Sequence, residues 1–125
     1  MIDTKAFKPL ENRWQDIFKH LENKGYKVYA PYNKIGECKN RFIVLKFAGS
    51  SKLYSFSTMQ DLYEIFCYVP KNKYSEIDGF KEEVKVAMKE LEPMILPYGQ
   101  IEISYYDDDL KAYYVSMTYK NYKKI

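Results

Sequence analysis

The sequence predicts an α+β fold: a mixed, largely antiparallel sheet of about four or five strands covered by two helices, in the order helix, strands, helix, strands. Three observations carry this. An amphipathic stretch near the start has both ends marked, apolar runs of strand length follow it, and a second helical stripe divides those runs from a further set.

Each element has its own signals. From Pro9 to Lys24, the residues Leu10, Trp14, Ile17, Phe18 and Leu21 share one helical face. A proline suits the first helical turn, and Gly25 supplies the left-handed residue that ends many helices. Tyr26 to Ala30 predicts a short strand, and Pro31, Asn33, Gly36 and Asn40 predict the loop after it. Arg41 to Gly49 (RFIVLKFAG) predicts a central strand stopped by Gly49 and Ser50–Ser51, because consecutive Phe42, Ile43, Val44 and Leu45 require cover on both faces. After a weakly alternating stretch from Leu53 to Ser57, Leu62 to Val69 predicts another strand, closed by Pro70.

Ser75, with Asp78 three residues on, predicts a capped helix start, and the helix extends to Leu91. Ile77, Phe80, Val84, Ala87, Met88 and Leu91 form its apolar stripe, with Glu82, Glu83, Lys85 and Lys89 facing solvent. Pro93 stops it. A loop with two prolines then leads to a strand from Ile101 to Tyr105, an acidic turn, and a last strand from Lys111 to Tyr119. Alternation places Tyr113, Val115, Met117 and Tyr119 opposite Tyr114, Ser116, Thr118 and Lys120.

A chain of 125 residues fits a single domain spanning 1–125, and 46% hydrophobic residues suffice for a core. No window approaches a membrane span, and the first residues lack the apolar region of a signal peptide, so a cytosolic product without membrane contact is expected. Cys38 and Cys67 are too few for a disulfide framework and are expected to be reduced. The net charge of +3 arises from interspersed lysines and acids with only two arginines, Arg13 and Arg41, which argues against base-edge readout of DNA.

The residues that carry most enzyme chemistry are sparse. His20 is the one histidine and has no Ser or Cys partner at triad spacing, and Cys67 within an apolar strand reads as packing. Asp107, Asp108 and Asp109 form an acidic trio, but three consecutive side chains diverge, and the Gly and distant Glu of a calcium loop are missing. The five glycines are scattered singly, so no phosphate-cradling loop is predicted. The expectation is a protein that is not an enzyme and has neither cofactor nor metal. What stands out is 14 tyrosines, more rings than so small a chain readily buries, and tyrosine suits contact surfaces.

Four segments carry a resemblance: FKPLENRWQDIFKHLENKG, RFIVLKFAG, LYEIFCYVPKNKYSEIDGFKEEVKVAMKEL and YYDDDLKAYYVSMTYKNYKK. Together they resemble the tail-terminator or tail-completion proteins of tailed bacteriophages and prophages, over Phe7 to Lys124. The resemblance implies a subunit that assembles with itself, usually as a hexameric ring, on the upper end of the tail tube. There it would stop tube growth and provide the surface for joining the head. The implied partners are the tail tube protein, a head-completion or neck protein, and the sheath protein in a contractile particle, with DNA only passing through a lysine-lined lumen. Assembly in the host cytoplasm and residence at the upper end of the tail follow from it. The candidate subunit-interface segments are the loop Asn33 to Asn40, the Gly49 to Thr58 segment with Tyr54 and Phe56, and the turn containing Tyr105, Tyr106, Asp107, Asp108, Asp109 and Lys111. A head-to-tail connector or neck subunit is the alternative, and a small nucleic-acid-binding regulatory module is a further one.

Overall fold

Helix α1 (Trp14–Asn23) opens the described chain, followed by strands β1 (Val28–Tyr29), β2 (Phe42–Lys52) and β3 (Thr58–Pro70). A 3₁₀ turn (Lys71–Glu76) leads into helix α2 (Ile77–Lys89), and β4 (Leu96–Tyr98), β5 (Ser104–Asp107) and β6 (Ala112–Lys124) complete the order. The structure is a computed structural model and describes residues 12–52, 58–99 and 102–124. The predicted α+β class and its helix, strands, helix, strands order hold, with a six-stranded sheet rather than four or five strands. The sheet runs β1-β2-β3-β6-β4, with β5 also paired to β6. Only β1 against β2 is parallel, and the other pairings are antiparallel.

Both helices lie on one face. Ile17 and Leu21 of α1, and Ile77, Phe80, Val84, Ala87 and Met88 of α2, are buried against Ile43, Leu45, Ile65, Cys67, Val69, Val115 and Met117 of the sheet. Each large apolar side chain removed from water there contributes about 1.5–3 kcal/mol, so this layer holds the fold. Trp14 stacks on Phe18 at 5.1 Å, and its indole N–H donates to the Leu45 carbonyl at 2.9 Å. His20 crosses between the helices, its imidazole 2.8 Å from the Ala87 carbonyl.

Several boundaries differ from expectation. Pro9 and Leu10 lie outside the described residues, and α1 begins at Trp14. Its end is as expected: Gly25, at φ +94°, follows Lys24, and the Gly25 N–H donates to the Glu22 carbonyl. Gly49 and the serines do not stop β2. The register with β3 shifts between Phe47 and Gly49, Gly49 takes φ +108°, and pairing resumes to Lys52, so the glycine absorbs a bulge. β2 is central only at its start, because β1 pairs with Ile43 and Val44 and no described strand flanks the rest on the side away from β3. The stretch Leu53 to Ser57 lies outside the described residues, and β3 begins at Thr58, ahead of the predicted Leu62.

The predicted Ser75–Asp78 cap does not form. The 3₁₀ turn occupies Ser75, α2 starts at Ile77 without a side-chain cap, and Asp78 pairs with Lys81 at 3.0 Å. β4 arises within the predicted two-proline loop, where Leu96, Pro97 and Tyr98 pair with Lys120, Tyr119 and Thr118. β5 is shifted to Ser104–Asp107, which takes Asp107 out of the turn, and Ile101 is not described. β6 starts at Ala112 rather than Lys111 and continues past Tyr119 to Lys124, held throughout by β3.

A polar cluster sits on the helix-facing side where β2, β3 and β6 meet. The fully buried Asp61 carboxylate accepts from the Ser50 hydroxyl and lies 3.1 Å from the Lys123 ammonium. The buried Tyr63 hydroxyl donates to Asn121 and accepts the Arg13 N–H at 2.7 Å, tying the start of α1 to the sheet.

Burial, reinforced by Asp107, pushes the Tyr68 phenol up to about 12. Burial also raises the phenols of Tyr63 and Tyr119. An acid whose folded-state pKa exceeds its unfolded value adds stability below the unfolded value, and that stability is lost as pH rises through the folded one. The urea midpoint is therefore expected to fall as pH climbs above about 10, the ordinary tyrosine value. A midpoint flat through that window would contradict the burial of these rings.

Candidate functional site

The sheet face opposite the helices carries a row of aromatic rings drawn from successive strands. Phe42 of β2, Tyr68 of β3, Tyr114 of β6 and Tyr105 of β5 are direct register partners. Phe42 and Tyr68 stack at 4.7 Å and 9°, Tyr68 and Tyr114 at 5.0 Å, and Tyr114 and Tyr105 at 5.5 Å. Tyr29 of β1 meets the edge of Phe42 at 5.5 Å, so five strands contribute one ring each. Cross-strand aromatic pairs of this kind contribute about 0.5–1.5 kcal/mol each beyond area burial.

Two irregular segments wall this row. The loop after β1 brings buried Cys38 against Phe42, and the β5–β6 turn brings Leu110 alongside. The two are joined where the Cys38 N–H donates to the Leu110 carbonyl at 2.7 Å. Between them lies a groove of about 370 Å³ lined by Pro31, Tyr32, Val44, Phe66, Tyr68 and Tyr114, with Lys34, Lys46, Asp107 and Asp109 at its margins. Tyr32, at φ +66° and 97% exposed, stands clear of the rest, as does Ile35 on the same loop. Farther along the face the side chains turn polar: the Ser116 hydroxyl donates to Glu64 at 3.4 Å, and Lys120 sits 5.3 Å and 4.9 Å from the rings of Tyr98 and Tyr122.

The candidate interface residues do not form one patch. Tyr105 lies on the aromatic row, half exposed, whereas Tyr106 points to the opposite face and meets Tyr113, which in turn meets Tyr74. The acidic trio divides, with Asp107 and Asp109 both bordering the groove and Asp108 turned to Lys111. Asp107 accepts the Leu110 N–H at 3.1 Å and closes the turn, Asp108 pairs with Lys111 at 3.0 Å, and Asp109 faces the groove. Its hydrogen bond to Asp108 raises the Lys111 pKa. Lys111 itself takes φ +51°, and its carbonyl accepts the Lys71 N–H at 3.2 Å. Tyr54 and Phe56 lie outside the described residues.

Sequence reading set Tyr114 on a face with Ser116, Thr118 and Lys120, required cover on both faces at Phe42, placed Tyr68 in a strand, and did not bring the three together as a surface. The signal was the alternation of Phe66 and Tyr68 with Ile65, Cys67 and Val69, which fixes a shared face once register is known. His20 and Cys67 both lie on the helix-facing side, and burial pushes the Cys67 thiol far up. Among the described residues no His, Cys, Asp or Glu cluster could hold a metal ion, and no helix is long and apolar enough to cross a membrane. No protein-family model matches the chain, and no curated protein matches its sequence.

Proposed function

We propose that this chain is a non-enzymatic structural subunit of a phage or phage-tail-like particle. It assembles with copies of itself as a ring on the upper end of the tail tube, ends tube growth and presents the surface that joins the head or neck. Its partners are the tube protein, a head-completion or neck protein and, in a contractile particle, the last sheath ring. The subunit is made in the host cytoplasm and resides at the top of the tail, where DNA passes through the ring.

The observation that supports this reading most is the groove on the face opposite the helices, where the aromatic row runs from buried Phe42 and Tyr68 to half-exposed Tyr105. It adds to the segment resemblance a large, rigid contact surface with little ordering cost. A ring needs two different patches per subunit that meet head to tail. The row and its groove supply one, and the exposed rings of Tyr106 and Tyr74, which meet Tyr113 on the other side of β5 and β6, supply the other.

Electron microscopy of purified particles carrying a tagged chain, with mass spectrometry, tests the proposal. Density at the tube terminus supports it, density on the portal side favours the connector alternative, and absence from the particle overturns both. The charge-introducing variant Tyr105→Asp, at a half-exposed position, is expected to lose about 0.5–1.5 kcal/mol with its stacking on Tyr114 and to remain folded. Its incorporation into tails should fall severalfold, and unchanged incorporation would remove the aromatic row from the interface.

A further inference from the structure

Next to the aromatic groove, and sharing Lys34 with it, one end of the sheet gathers lysines that have no acidic partner among the described residues. Lys27, Lys34, Lys39 and Arg41 line a depression of about 430 Å³ with a single carboxylate, Glu37. Arg41 is committed to Glu83 through a two-pronged contact at 2.9 and 3.2 Å. Lys27, Lys34 and Lys39 form no ion pair among the described residues. Some lysines elsewhere are paired, Lys24 with Glu90, Lys81 and Lys85 with Glu102, and Lys111 with Asp108, whereas Lys19, Lys46, Lys52, Lys71, Lys89 and Lys120 also form no ion pair among the described residues. What sets this end apart is density, since four cations and one carboxylate line a single depression, although the chain as a whole is only +3.

Aromatic rings are interleaved with these cations. The Lys27 ammonium lies 5.5 Å from the Tyr29 ring and that of Lys34 lies 5.7 Å from Phe42, which holds both amines at the rim of the depression. Tyr32, two residues from Lys34, offers its whole ring to solvent. We infer that this end of the sheet binds the sugar-phosphate backbone of nucleic acid without reading its sequence.

Lysine point charges suit phosphate neutralisation and not base-edge recognition. An anionic membrane would call for a broad apolar face to insert beside the charges, whereas here the exposed apolar groups are Tyr32 and Ile35 on one loop. A free-standing aromatic ring beside cations fits an unpaired base. The inference does not depend on the particle reading and concerns the free subunit, because Tyr32 and Lys34 also line the groove proposed as a subunit contact.

Fluorescence anisotropy with a labelled duplex and a labelled single strand of equal length, using the full chain, tests it. Binding should weaken by about tenfold to a hundredfold between about 50 and about 200 mM salt, as expected for release of a few counterions. Lys27→Glu with Lys39→Glu, both at exposed positions, should weaken binding at least tenfold. The charge-matched pair Lys19→Glu with Lys89→Glu, on the outer helix faces, should weaken it no more than about threefold.

Tyr32→Ala separates the two sources of phosphate. A loss of about fivefold or more on the single strand alone identifies an unpaired base as a second contact. An unchanged affinity for both identifies the backbone alone, and either result agrees with the inference. Undetectable binding at low salt, equal losses from the two lysine pairs, or polyglutamate of matched charge binding as tightly as the oligonucleotides would each overturn it. The last result would assign the surface to an acidic protein instead.

Discussion

Replacing Lys123 by methionine is expected to lower the unfolding free energy by about 3–5 kcal/mol, the range for removing one partner of a buried ion pair. Asp61 is fully buried, and the Lys123 ammonium 3.1 Å away supplies its countercharge, while Ser50 contributes a hydroxyl. Methionine keeps most of the side-chain volume and removes only the charge, so the carboxylate remains buried without compensation.

Asp61→Asn is expected to cost less, about 1–3 kcal/mol, since the long lysine stem lets its charge reach water and the amide keeps an oxygen for Ser50. Urea denaturation with an unchanged m-value measures both. A Lys123→Met loss below about 1 kcal/mol would show that the pair does not hold the β2, β3 and β6 ends together.

Phe80→Ala should cost about 3–5 kcal/mol, by loss of transfer energy and by the cavity that remains. Phe80 is 1% exposed on α2, and its ring lies 5.8 Å from that of Tyr26 and 4.6 Å beneath the Arg41 guanidinium. The ring therefore supports the Arg41–Glu83 bridge between the start of β2 and α2 as well as filling the core. The hydrogen bond from Arg41 holds the Glu83 carboxyl below the usual range, and the Phe80 platform helps keep that fork in place.

Phe80→Leu keeps most of the volume and should cost less than about 1.5 kcal/mol. Similar losses for the two variants would mean that ring size does not matter at this position. That outcome would contradict the packing of α2 on the sheet.

Helix faces were the most legible part of the sequence, because a buried stripe follows from spacing alone. Ile17 and Leu21, and the series Ile77, Phe80, Val84, Ala87 and Met88, are buried as their periodicity predicts. Boundaries were less legible where tertiary contacts outweighed local signals. β2 passes through Gly49 because pairing with β3 compensates for a glycine bulge, and Ser75 fails to cap α2 because the turn from Pro70 is taken up by 3₁₀ structure. β4 was hidden by its proline: Pro97 lacks an N–H, but β4 lies at the end of the sheet path, where a missing donor costs little.

By itself the sequence determined the α+β class, the helical stripes and the excess of tyrosine. These follow from period and residue type, which are local properties of a chain. Tertiary structure alone decided that Phe42, Tyr68, Tyr114 and Tyr105 form one row, that Asp61 meets Lys123, and that Lys27, Lys34 and Lys39 share one end of the sheet. Those juxtapositions depend on strand register and loop placement. A shift of one residue would send every ring of a strand to the opposite face, and no local property of the chain fixes which residue it pairs with.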